Sequence, residues 1–162
     1  MQDSLFQSLS SIPRSRMRAL WDQAKHHDFA DLAENEREVL LIMIDHDQEY
    51  FEMFEQADRD GRFVSDGEVD PYIHVILHHI IERQVEKREP VESHRFYYAM
   101  RERGCTHHEA IHLTMLIFAE FAFNMLHDDV PFDDNAYTNL LGELTDRNPD
   151  QIQSFVEQAF SG

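Results

Sequence analysis

Apolar residues recur at helical spacing along most of the chain, and the periodic stretches are separated by proline, glycine and clustered acids. From Pro13 to about Lys25, Met17, Leu20, Trp21 and Ala24 mark one helix face, and Arg14, Arg16 and Arg18 read as a solvated opposite face. Residues 32–57 form a long helical pattern. Placing side chains at about 100° per residue puts Val39, Met43, Tyr50 and Phe54 on one stripe, with His46 and Asp47 flanking it. Glu49, Glu52 and Glu55 point away. The string 58–69, DRDGRFVSDGEV, reads as an irregular turn. It lacks the glycine that a calcium loop needs at its sixth position, and Arg62 stands at the fifth.

Residues 71–88 make a second long helix, with Asp70 as N-cap and Pro71 at its first position. Ile73, Ile76, Leu77, Ile80, Ile81 and Gln84 form its inner face. Glu89-Pro90 interrupts the pattern. A shorter helix at 91–103 carries Phe96, Tyr97 and Met100, and Gly104 is a natural stop. Thr106 with Glu109 forms a capping box. The following helix, 107–127, is apolar around nearly its whole circumference, which predicts burial. Yet Glu109, His112, Glu120 and His127 share a stripe with Leu116 and Phe123, and buried carboxylates and imidazoles need partners or a metal. Pro131 ends this helix. Two short amphipathic helices follow at about 134–146 and 149–160.

The expected fold is all-α: a bundle of about four core helices with additional short N- and C-terminal helices. It is read as one domain over 1–162, with 1–12 a loosely ordered lead-in and 132–162 a C-terminal helical extension. Gly and Pro number five each, which suits helices. A formal charge of −18 argues against nucleic acid and anionic membranes as partners. A single cysteine, Cys105, fits a reducing compartment, and the N-terminal stretch has no signal-like apolar core, so a cytoplasmic location is expected. The C-terminal helices are the expected place for a homo-oligomer contact or a protein partner.

Eleven histidines concentrate the candidate chemistry. His74, His78 and Glu82 stand at intervals of four, but the angular reading turns Glu82 toward solvent. His108 and His112 open the later helix. If consecutive helices run antiparallel, His74 and His78 lie roughly 5 and 10 Å from their helix start, and His108 and His112 roughly 3 and 9 Å from theirs. The levels match, and Asp47 or His46 can reach the same layer. Facing helices of a bundle are a usual place for a metal site. The candidate ligands are therefore His74, His78, His108 and His112, supplemented by Asp47 or Glu109, around iron or zinc. The competing reading makes them structural histidines bonded to acids, in an acidic interaction module without catalysis. A ferritin-like centre is set aside because Glu109-Ala110-Ile111-His112 has no second copy. A His-Glu-x-x-His zinc-protease reading is set aside as well, as is Cys105 as a nucleophile. No reaction is assigned.

DPYIHVILHHIIERQ at 70–84 resembles the Asn-Pro-hydrophobic-His-x-x-x-His-x-x-Ile-x-x-Gln pattern of a bacterial domain-of-unknown-function family numbered 1841. HHEAIH at 107–112 is similar to that family's His-Glu-x-x-His-like segment, and Asp47-Gln48-Glu49-Tyr50 to its His-Pro-Glu-Tyr segment. The resemblance covers roughly 35–125 and implies a small helical, cytoplasmic protein with no activity to carry over. Asp70 replaces the family's Asn, and Asp47 stands about where the family has His. A looser likeness is to hemerythrin-like bundles, which bind di-iron and oxygen. His46, His78 with Glu82, and His108 with His112 would fill three of its motifs, while His127 lacks the acid that the fourth requires.

Overall fold

The computed structural model describes residues 12–56 and 70–161. The predicted turn at 58–69 and all of the lead-in before residue 12 lie outside them. Eight helices and no strands are found among the described residues: α1 (Arg14–Lys25), α2 (Glu34–Asp45), α3 (Asp47–Gln56), α4 (Pro71–Lys87), α5 (Val91–Glu102), α6 (His107–Asp128), α7 (Asp134–Leu144) and α8 (Pro149–Phe160). The fold is all-α. None of these helices is long and apolar enough to cross a membrane. The chain divides into two compact units, Met1–Ile80 and Ile81–Gly162, with the division inside α4.

In the first unit, α1 packs on α2 through the periodic residues of both. Met17, Leu20, Trp21 and Ala24 meet Val39, Leu40, Ile42 and Met43, joined by Phe54 of α3 and by Tyr72 and Val75 of α4. Trp21 is fully buried and stacks on Phe54 at 4.5 Å. Burying one such side chain is worth about 1.5–3 kcal/mol relative to leaving it in water. The indole N–H still needs an acceptor and donates to Glu55 at 2.8 Å. Lys25 holds the same carboxylate at 2.6 Å. These two donors, Lys25 first, hold the Glu55 carboxyl below the usual carboxylate range.

The basic face of α1 differs from the solvated surface predicted for it. Arg14 pairs with Asp70 at 2.7 Å, Arg16 with Glu36, and Arg18 with Asp22 at 3.9 Å. Periodicity shows which residues leave the core, but the partners of Arg14 and Arg16 come from other segments. Asp70 has two tasks, since its second oxygen accepts from Tyr72 N–H at 2.9 Å as the N-cap of α4.

The long pattern at 32–57 is not one helix. It breaks at His46, whose backbone sits at φ −103°, ψ 2°, between α2 and α3. His46 N–H is shared between Ile42 O at 3.1 Å and Met43 O at 3.2 Å, and Tyr50 N–H returns to His46 O at 2.9 Å. The hydrogen-bond ladder therefore nearly survives the step, while the phase of the side chains changes across it.

In the second unit, α5 packs against α6 and α7, and α6 against α7 and α8. Phe118, Phe121, Phe132, Tyr137 and Phe160 form a chain of ring contacts at 5.1–6.0 Å. Aromatic pairs at such separations add roughly 0.5–1.5 kcal/mol each beyond area burial. Within this apolar set, Gln84, Ser93 and Tyr137 make a buried polar knot. Ser93 Oγ donates to Gln84 Oε1 at 2.7 Å, and Tyr137 OH donates to the same oxygen at 2.8 Å. Burial pushes the Tyr137 hydroxyl far above its ordinary range, so it stays a donor. Gly104, at φ +98°, follows α5 in the conformation that glycine adopts without a Cβ penalty. The expectation that α6 is buried all round is too strong. Ile111, Ile117 and Phe118 are buried, whereas Leu113, Leu116 and Phe121 are only partly so.

Candidate metal centre

The first unit gathers three histidines. His46 comes from the joint after α2, and His74 and His78 come from successive turns of α4. Ring centroids are 5.0 Å apart for His46–His74, 5.0 Å for His46–His78 and 6.4 Å for His74–His78. His46 is 1% exposed and His78 3%. Tyr50 walls the group, 5.0 Å from His74.

The orientation of His46 is fixed from behind. Its Nδ1 donates to Ile42 O at 2.8 Å, one turn back, which leaves the Nε2 lone pair directed into the cluster. A backbone acceptor on one ring nitrogen is the usual way a ligating imidazole is oriented and its tautomer set. His46 Nε2 lies 3.3 Å from His74 Nε2. Two nitrogens held at ~2.0–2.1 Å by one tetrahedral ion would stand about 3.3 Å apart. The same separation suits a weak hydrogen bond from His74 to His46, so the distance alone fits both chemistries.

The second unit holds the other pair. His108 and His112, on the first two turns of α6, have ring centroids 3.9 Å apart. Both are half-buried and line an open cleft of about 610 Å³. Next to them, His107 takes a different role. Tyr97 OH donates to its Nδ1 at 2.6 Å, and its Nε2 donates to Glu82 Oε1 at 3.2 Å. The clamp ties α4, α5 and the start of α6 together one residue before His108. Glu82, the third member of the stripe at intervals of four, thus bonds a histidine instead of lying idle in solvent.

The other sequence candidates fall outside these groups. Asp47, half-buried in the first turn of α3, is not part of the first unit's cluster. His46, one residue earlier, is. Glu109 is exposed and closes the capping box of α6, its Oε2 accepting from Thr106 N–H at 2.7 Å. The expectation that His-Glu-x-x-His is missing is corrected by His108-Glu109-Ala110-Ile111-His112, which has that spacing. The role of Glu109 is a question of geometry: its carboxylate is already engaged by the cap. Burial, reinforced by Glu109, raises the Cys105 thiol above its ordinary range, which disfavours a thiolate.

Two histidines that the sequence reading passed over also have assigned partners. His79, 1% exposed, pairs with Glu38, and His94 Nδ1 donates to Val85 O at 2.9 Å. The signal for His79 was its place inside the apolar run VILHHII, where both central positions turn inward.

None of the curated proteins and none of the solved structures compared with the chain matches it, so the hemerythrin likeness rests on spacing alone. A family model described as a domain of unknown function, DUF1841, matches residues 13–143, and the chain belongs to that family.

Proposed function

We propose that the chain is a metal-binding helical protein whose histidines hold one divalent ion, zinc or iron. The candidate ligands are His46 and His78, with His74 beside them, in the first unit, and the pair His108 and His112 in the second. The observation that carries this reading is the orientation of His46. Its Nδ1 is taken by Ile42 O, and its Nε2 is turned onto a second imidazole nitrogen at 3.3 Å. A backbone acceptor behind the ring and a second imidazole nitrogen in front of it match what a ligating imidazole needs. Imidazole ligands suit zinc and iron alike, so donor chemistry does not choose between them. A metal with an open coordination position would polarise a bound ligand or activate water; a closed set would serve stability alone.

A structural reading competes with it. His79, His94 and His107 each have oxygen partners and no need of metal, and His74 can donate to His46 in the same way. Metal analysis of protein purified without a histidine tag separates the two. The metal reading expects about one equivalent of zinc or iron per chain, lost in His46→Ala and in the His78→Ala/His112→Ala double variant, with a lower melting temperature after chelation. Less than a tenth of an equivalent after metal reconstitution, together with melting indifferent to EDTA, overturns it.

A further inference from the structure

The open cleft at the start of α6 sets His108 and His112 beside a surface suited to a small molecule. Leu113 and Leu116 continue the same helix face as half-buried apolar groups, and Pro149 adds a third from the first turn of α8. Polar groups lie around them: Gln153 on α8, Asp150 beside Pro149, and Glu109, whose carboxylate closes the α6 cap. Among the described lining residues the cation is Arg103, already committed, its Nη1 donating to Thr145 O at 2.8 Å and to Ala99 O at 3.2 Å. Two carboxylates against one guanidinium make the rim acidic where no ion is bound, and a divalent ion on His108 and His112 offsets that charge, so a neutral donor suits both states. At about 610 Å³ the volume lies within the usual range of small-molecule sites.

We propose that this cleft is a small-molecule site, taking a compact neutral compound whose apolar body lies on Leu113 and Leu116 and whose donor atom meets an ion held by His108 and His112. The inference rests on the metal reading for its donor contact and on the cleft for everything else. The class is small nitrogen- or oxygen-donor molecules with an aromatic or aliphatic body.

The probe is 4-phenylimidazole, titrated into cobalt-loaded and metal-free protein while amide and methyl NMR signals and the cobalt absorption bands are followed. Saturable shifts at Leu113, Leu116 and Gln153 are expected, with a change in the cobalt bands. In the metal-free protein, phenylphosphate should bind at least about tenfold more weakly than the probe, reflecting the acidic rim. Gln153→Trp, at an exposed position of α8, should fill the cleft and weaken the probe about tenfold while metal content stays unchanged. Cobalt uptake with no saturable shift at these residues, or with shifts that Gln153→Trp leaves untouched, overturns the cleft and spares the metal reading. Absence of cobalt uptake refutes the metal reading, and the metal-free titration then decides the cleft alone: shifts at Leu113 and Leu116 support it, and none refutes it.

Discussion

In the first unit three histidines are set against one another; in the second His94 and His107 are given to oxygen. His46, His74 and His78 lie ring to ring behind Tyr50. Among the described side chains, His94 and His107 are each bonded to a carbonyl, a carboxylate or a phenol, while the rings of His108 and His112 lie 3.9 Å apart beside an open cleft. A neutral imidazole has one donor and one acceptor nitrogen, so an oxygen partner plus a hydroxyl satisfies it fully. Imidazoles packed nitrogen to nitrogen satisfy one another only in part, and a shared cation is the stronger solution. The partners of a histidine, more than its burial, separate the structural ones from the candidate ligands. His79, 1% exposed, is as buried as His46 but holds Glu38.

The strongest challenge to this contrast is His46→Ala. Metal affinity should fall by more than about 100-fold, and the metal-free protein should lose about 2 kcal/mol from the cavity, measured by metal-competition assay and by chelated melts. His112→Ala, at a half-buried site, should lose metal as severely but cost the metal-free protein less than about 1 kcal/mol. Equal apo-state losses in the two variants would erase the difference drawn between the units.

Next in size is Tyr137→Phe. It deletes a buried hydroxyl from the Ser93–Gln84 knot and should cost about 1–2 kcal/mol in denaturant melts, with metal content unchanged. Glu82→Gln weakens the clamp on His107. A stability loss below about 1 kcal/mol is expected because the pair is partly exposed, together with a metal affinity lowered a few-fold through the neighbouring His108. A wholly unchanged affinity would mean that the clamp does not position α6.

The smallest effect concerns pH. Lys25 and Trp21 hold the Glu55 carboxyl below its ordinary value of 4.5. A depressed carboxyl contributes stability that is present above that value and lost as pH falls through the folded-state value below it. The wild type should therefore exceed Glu55→Gln modestly at neutral pH, and the gap should close as the solution is acidified below 4.5. A gap that widens in acid would contradict the assignment.

The helices were legible because their ends are written in side chains. Asp70 caps α4, Thr106 and Glu109 box α6, Gly104 takes a positive φ after α5, and Pro149 opens α8. The intervals of four that bring His74 near His78 and His108 near His112 were equally plain, since helical spacing places such residues on adjoining turns. The joint at His46 was not legible. No proline or glycine marks IDHDQEY, and a step in phase there depends on packing that a 100° projection does not contain. The projection left His46 at the edge of a stripe, whereas the joint turns it inward and leaves Asp47 outside. Ile73 shows the same limit in reverse: assigned to the inner face of α4, it is 41% exposed. The roles of Glu109 and Glu82 depend on which backbone amide or imidazole reaches them, and spacing cannot say that.

A single carbonyl, that of Ile42, receives both the backbone amide and the ring of His46. Both lone pairs of that oxygen are spent on one residue. The ring therefore cannot swing away without disturbing the last turn of α2, and that turn cannot fray without releasing the ring. Side-chain rotation and helix fraying become a single event at this point, so the stiffness of the histidine is inherited from the helix behind it. A residue at a break, ordinarily the loosest place in a helical chain, is held here as firmly as one in mid-turn.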